Sequence, residues 1–146
     1  METTRSAMAV WQGDLLGGSG SVSGGTGLFK DLPTSWSSRT EAPQGRTSPE
    51  ELLAAAHASC FSMAFSNNLA KAGFPPERVD VQSDVTFEKQ ESGWSVVRSA
   101  LTVRAKVPGV DQATFDEAAE GARAGCPISR ALNPSIEVTL NATLES

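Results

Sequence analysis

The sequence predicts an α+β fold: an antiparallel sheet with a long central helix and a second helix pair. Three observations carry that expectation. Residues 48–72 hold helix signals at both ends of an apolar stretch. Residues 79–89 and 97–107 alternate apolar and polar side chains, the period of half-buried strands. A second helical segment and one more alternating run complete the chain. With 146 residues and 39% hydrophobic content the chain fits one domain with one core, 1–47 forming short strands and a loop and 48–146 the rest.

Residues 1–47 are rich in Gly, Ser and Thr. Short apolar pieces, "AMAVWQ" and "GLFKDL", sit between glycine turns and read as strands of a hairpin or meander. "LPTSWSSRTEAPQGRTS" reads as an irregular loop. The long helix then opens on "SPEE", with Ser48 as N-cap, Pro49 at the first helical position and Glu51 as the capping-box partner. Gly73 supplies its C-terminal cap, and Pro75-Pro76 forbid continuation. Its interior is apolar on nearly all sides, which predicts wide burial inside the domain or against a second subunit.

In the first long strand Val79, Val81, Val85 and Phe87 share one face, and Asp80, Gln82, Asp84 and Glu88 the other. "QESG" turns the chain. Val97, Leu101, Val103, Ala105 and Val107 form the second strand; Trp94 and Val96 are out of phase with it, which predicts a bulge near Val96-Val97. "DQATFDEAAEGARAG" is the second helix, capped by Asp111 or Thr114. "CPISRAL" is a short further turn, and Ile136, Val138, Leu140, Ala142 and Leu144 alternate in a closing strand.

Bulk properties exclude some functions. A net charge of −5 and a pI near 4.8 argue against nucleic acid or an anionic membrane as the main partner. No apolar run is long enough to span a bilayer, and the N-terminus lacks the apolar core of a signal peptide, so the cytoplasm is the expected compartment. The chain has two cysteines, Cys60 and Cys126, and one histidine, His57. In that compartment a transient redox bond between the cysteines is expected over a structural staple.

Local physics ranks the two sulfurs unequally. Cys60 lies in mid-helix, away from the helix dipole, and a buried cysteine often only fills space. Cys126 precedes Pro127, which suits the start of a helix; its sulfur would then meet free backbone N–H groups, which lowers a thiol pKa and exposes it. A small residue in a tight turn explains Cys126 equally well. As a pair they invite a cycle: a thiolate attacks an O–O bond, becomes a sulfenic acid, and condenses with the second thiol. That cycle needs a cation beside the thiolate and, for an organic peroxide, an apolar wall. Phe61, Met63 and Phe65 could supply the wall, as could simple core packing. His57 precedes Cys60 by one helical turn, so a Cys–His hydrolase dyad is a further reading, without a triad signature. One His and two Cys without close spacing make a poor metal site.

"SPEELLAAAHASCFSMAFSNNLAKAGF" with "VPGVDQATFDEAAEGARAGCPIS" resembles the OsmC branch of the OsmC/organic hydroperoxide resistance superfamily, and "VWQGD" is similar to the start of that branch. The resemblance implies an intertwined homodimer and a thiol-dependent peroxidase without cofactor. It implies Cys60 as the peroxidatic cysteine and Cys126 as the resolving one. It implies Arg39, in "SWSSRTE", as activating cation and Glu50 as its orienter. Its substrates would be organic hydroperoxides, with hydrogen peroxide reduced less well, in stress defence. An external dithiol, a lipoylated protein or a thioredoxin-like one, would reopen the disulfide. Ten helical residues span about 15 Å, so Glu50 is expected to serve the Cys60 of the other subunit. Two other classes stand beside this one: a non-catalytic binding module for an apolar ligand, with inert cysteines, and the Cys60–His57 hydrolase.

Overall fold

A computed structural model describes all 146 residues, and the chain forms two compact units, Met1–Leu52 and Leu53–Ser146. In the first unit, strands β1 (Ala7–Gln12), β2 (Ser19–Gly24) and β3 (Leu32–Thr34) form an antiparallel sheet in the order β1-β2-β3. β1 is the expected "AMAVWQ". Of "GLFKDL", expected as a strand, residues 27–31 turn the chain and only Leu32 enters β3; the glycine-serine run before it makes β2. Close packing explains that choice: a Cβ on Gly20 would lie 2.7 Å from the Trp11 ring, so only glycine lets the indole cross the strand. The expected loop contains β3 and a short helix, α1 (Ser37–Thr40). Ser38 Oγ lies 2.8 Å from the Ser35 carbonyl and 2.9 Å from the Thr47 carbonyl, sharing its one proton between them, and holds α1 in place.

Helix α2 runs unbroken from Pro49 to Lys71, and the boundary between the units falls within it. Ser48 Oγ accepts the Glu51 N–H at 3.1 Å, as an N-cap should. The Glu51 carboxylate accepts from the Thr47 hydroxyl at 2.6 Å instead of closing the capping box on Ser48. Gly73, at φ +94°, ends the helix, and the Phe74 N–H reaches back to the Leu69 carbonyl. α2 buries one stripe, His57, Phe61, Phe65 and Leu69, at steps of four residues. Wide burial inside the domain is therefore not realised: Ala55, Ala56, Ser59, Met63 and Asn67 are exposed.

In the second unit β4 (Arg78–Gln90) and β5 (Gly93–Lys106) form the long antiparallel hairpin. Phe87 pairs with Val96 and Thr86 with Arg98, leaving Val97 as the bulge. The bulge resets the phase, so that Ser99, Leu101, Val103 and Ala105 turn inward and are buried. Helices α3 (Gln112–Gly125) and α4 (Pro127–Leu132) follow, and β6 (Glu137–Glu145) closes the sheet in the order β4-β5-β6. β6 runs parallel to β5, so this sheet is mixed where sequence predicted only antiparallel pairing. The crossover through α3 and α4 carries the chain back to the start of β5 before it re-enters the sheet. Asp111 caps α3, accepting from the N–H and hydroxyl of Thr114.

The core joins Phe61, Phe65 and Leu69 of α2, Leu101 and Val103 of β5, Phe115, Ala119 and Ala122 of α3, and Val138 of β6. Phe65 packs edge-on against Phe115 with ring centroids 5.3 Å apart. Each fully buried large side chain contributes about 1.5–3 kcal/mol relative to exposure. No helix is long and apolar enough to cross a membrane.

Candidate functional site

Cys60 sits at the middle of α2, partly exposed, and lines a pocket of about 470 Å³. Met63, Ala64 and Asn67 of α2 and Gly121 and Gly125 of α3 line it with Pro127. Small residues on α3 keep the space open, and Asn68 Nδ2 donates to the Ala118 carbonyl at 3.1 Å to tie the two helices. Of the three side chains expected as an apolar wall, Met63 lines this pocket. Phe61 and Phe65 are fully buried in the core.

Cys126 caps α4, its Sγ accepting the Ser129 N–H at 3.3 Å, with Pro127 at the start of the helix. The capping role is as predicted; the exposure is not. Cys126 is completely buried, because α3 and β6 pack around the turn that the cap creates. Cys60 lines its pocket together with Gly125 and Pro127, the residues on either side of Cys126, so the two cysteines, 66 positions apart in sequence, lie at one site. Burial pushes the Cys60 thiol above its ordinary value, the Ile128 backbone N–H opposes this, and the hydrogen bond and charge of Cys126 add to the rise. Within the unit Leu53–Ser146 the Ile128 N–H alone favours a Cys60 thiolate.

His57 does not form a dyad with Cys60. Its ring is fully buried; Nδ1 lies 2.6 Å from Ser99 Oγ and Nε2 2.7 Å from Ser129 Oγ. Burial lowers its pKa, which favours the neutral ring. Ser83 Oγ joins Ser99 Oγ at 2.9 Å, and the Cys126 thiol donates to Ser129 Oγ at 3.0 Å. Sequence reasoning passed over these serines. The signal was present: Ser83 and Ser99 occupy inward positions of two alternating strands, where apolar residues otherwise stand.

Arg39 and Glu50, both in the unit Met1–Leu52, form a two-pronged ion pair. Arg39 Nη2 donates to Glu50 Oε1 at 2.6 Å, and Nε to both carboxylate oxygens at 3.1 and 3.2 Å. The Glu50 side chain is 9% exposed and that of Arg39 27%. The guanidinium also lies 5.5 Å from the centroid of the Trp36 ring. α1 delivers Arg39 and the first turn of α2 delivers Glu50, while Glu51 turns to the Thr47 hydroxyl and not to Arg39. Arg39 is the charged residue of a pocket of about 510 Å³ lined by Trp11, Leu15, Val22, Trp36 and Leu52.

Comparison with known proteins locates this arrangement. The sequence model of the family described as OsmC-like protein matches residues 42–141. The chain is 41% identical over 146 residues to Peroxiredoxin OsmC of Escherichia coli (strain K12), covering all of both chains. It is 34% identical over 95 residues to an organic hydroperoxide resistance protein of Xanthomonas axonopodis pv. citri (strain 306), covering 64% of this chain and 65% of the other. Among solved structures, an organic hydroperoxide resistance protein OsmC from Legionella pneumophila superposes with a TM-score of 0.71 at 25% identity, covering 97% of this chain and 99% of that one.

Proposed function

The chain belongs to the OsmC-like protein family, and from that premise we propose that it reduces organic hydroperoxides through a Cys60 sulfenic acid resolved by Cys126. It is a cysteine-based peroxidase; its full-length identity to a protein named a peroxiredoxin supports that class. The observation that carries the mechanism is that Cys60 lines one pocket with Gly125 and Pro127, the two residues that flank the buried Cys126.

The Cys60 thiolate attacks one oxygen of R–O–O–H. An S–O bond forms, the O–O bond breaks, and the alkoxide takes a proton to leave as the alcohol. Sulfur loses the two electrons that the peroxide gains. The Cys126 sulfur then attacks the Cys60 sulfenic sulfur; the S–S bond forms, the S–O bond breaks, and water leaves. An external dithiol, a lipoylated protein or a thioredoxin-like one, reopens the disulfide and is itself oxidised. The apolar pocket side chains favour organic over hydrogen peroxide. The placement of both cysteines at one pocket favours this reading over a binding module with inert cysteines.

The activating cation in this proposal is Arg39 held by Glu50, acting on Cys60 of a second copy in a homodimer. Two observations support the exchange. Glu50 and Cys60 are ten residues apart on one unbroken helix. Met8, Val10 and Trp11 of β1 and Met63 of α2 are uncovered in the single chain, as an intertwined partner requires. The setting is cytoplasmic stress defence.

Peroxide consumption with dihydrolipoamide as reductant tests the assignment. Cys60→Ser should abolish turnover, and Cys126→Ser should stall after one equivalent. Undiminished multiple turnover in either variant would exclude the proposed cycle.

A further inference from the structure

His57 is the one buried titratable side chain of the second unit that the proposed cycle leaves without a task. Its position gives it one. The ring joins two hydroxyls, and one of these, Ser129, also touches the sulfur of Cys126. We propose that His57 is a positioning residue for the resolving step, drawing the Cys126 proton through Ser129 and fixing the Cys126 sulfur for attack.

The hydrogen bonds can all be directed one way. Cys126 S–H donates to Ser129 Oγ, Ser129 O–H donates to His57 Nε2, His57 Nδ1–H donates to Ser99 Oγ, and Ser99 O–H donates to Ser83 Oγ. From Cys126 to Ser99 each donor has an acceptor, and the neutral ring turns its one acceptor lone pair, on Nε2, toward Ser129 and Cys126. Ser129 N–H also donates to Cys126 Sγ and stabilises the charge that develops there.

The proton balance follows. As the Cys126 sulfur attacks the Cys60 sulfenic acid, its proton passes to Ser129 Oγ while the Ser129 proton passes to His57 Nε2. The hydroxide leaving from the Cys60 sulfur takes a proton from the solvent-open pocket and departs as water. His57 later returns its proton to solvent as the neutral ring is restored. The two sulfurs share the oxidation level that Cys60 alone carried, so no further oxidant is needed. His57 itself touches neither sulfur, so its effect is exerted through Ser129.

No carboxylate or cation bonds the ring. β5 presents Ser99, β4 presents Ser83 behind it, and α4 presents Ser129 with Cys126 at its head; Arg98 and Arg130, adjacent in sequence to two of these serines, are exposed. The one titratable group linked to the ring is the Cys126 thiol, through Ser129. This inference rests on Cys126 being the resolving cysteine, and the experiment separates the two.

The experiment follows a single turnover of reduced protein with cumene hydroperoxide. Dimedone trapping reports the Cys60 sulfenic acid, and quenched intact mass reports the disulfide. Ser129→Ala and His57→Gln should slow disulfide formation about ten- to a hundredfold while sulfenic acid appears at a rate within threefold of wild type. The wild-type step should fall at acid pH as His57 becomes protonated. In Ser129→Ala it should instead rise continuously with pH, as an unassisted thiol requires. A purely structural role would not exchange one pH profile for the other. Should His57→Gln fail to give a native melting transition, Ser129→Ala, a one-atom deletion, decides. Disulfide formation at the wild-type rate and with the wild-type pH profile in the folded variants would overturn the inference. No disulfide in the wild type at all would overturn the resolving role of Cys126 beneath it.

Discussion

Replacing Glu50 by Gln tests whether the buried ion pair prepares Arg39 for catalysis. The amide keeps the shape of the carboxylate and removes its charge. It also turns an NH2 toward guanidinium donors, so the three short contacts at 2.6, 3.1 and 3.2 Å cannot all survive. Breaking a fully buried pair costs about 3–5 kcal/mol. Arg39 keeps 27% of its side chain in water, which places the cost nearer to about 2–3 kcal/mol. For a chain of this size that corresponds to a fall in Tm of about 5–10 °C. The chemical effect should exceed the structural one, because a donor that loses its orientation loses much of its hold on the developing charge. The second-order rate of Cys60 loss with cumene hydroperoxide should drop about ten- to a hundredfold. Stopped-flow thiol loss and a melting curve on one preparation suffice. A variant that reacts within twofold of wild type would refute the argument, whatever its Tm.

The remaining predictions concern assembly, the thiol, the core and the caps. Hybrid dimers of Cys60→Ser and Glu50→Gln chains should recover peroxide reactivity at one of their two sites if Glu50 acts across the dimer; hybrids as slow as the Glu50→Gln parent would place it within one chain. Cys126→Ala removes the hydrogen bond and charge that help raise the Cys60 pKa, so ultraviolet titration of the thiolate should show a lower value than wild type; an unchanged or higher value would contradict the contact. Phe65→Ala, at a fully buried ring packed on Phe61 and Phe115, should cost about 3–5 kcal/mol in urea unfolding, and a cost under 1 kcal/mol would show that the site collapses. The Thr114 N–H and hydroxyl hold the Asp111 carboxyl below its usual range, so its stabilising contribution is full above the unfolded carboxylate pKa and disappears as pH falls through the lower native one. Asp111→Ala should therefore flatten the acid side of a stability–pH curve, and an unaltered curve would remove Asp111 from that role.

Local signals made most elements readable. Ser48, Pro49 and Gly73 act within a few residues of themselves, so the ends of α2 could be read directly. Period-two alternation, and its break at Val96-Val97, gave the hairpin and its bulge. Strand direction was not readable, because alternation is the same for parallel and antiparallel pairing and the crossover through α3 and α4 decides it. β2 and α1 lacked a pattern, being built from glycine and serine that packing against Trp11 and side-chain bonds to Ser38 organise. The site shows the same division. The cap at Cys126 was a local fact, whereas its burial beside Cys60 depends on α3 and β6. The serines around His57 were visible as inward-facing polar residues on strands, yet their bonding to a histidine on α2 required the fold.

The central claim is that a hydroperoxide is reduced at Cys60 and the product oxidation is shared with Cys126. The most direct measurement is peptide mapping of reduced protein after one equivalent of cumene hydroperoxide, with free thiols blocked at quench. The account predicts a Cys60–Cys126 disulfide within one chain, two thiols lost and one equivalent of cumyl alcohol formed. Alcohol formation with both cysteines still recovered as blocked thiols, or a disulfide joining Cys60 residues of different chains, would contradict it.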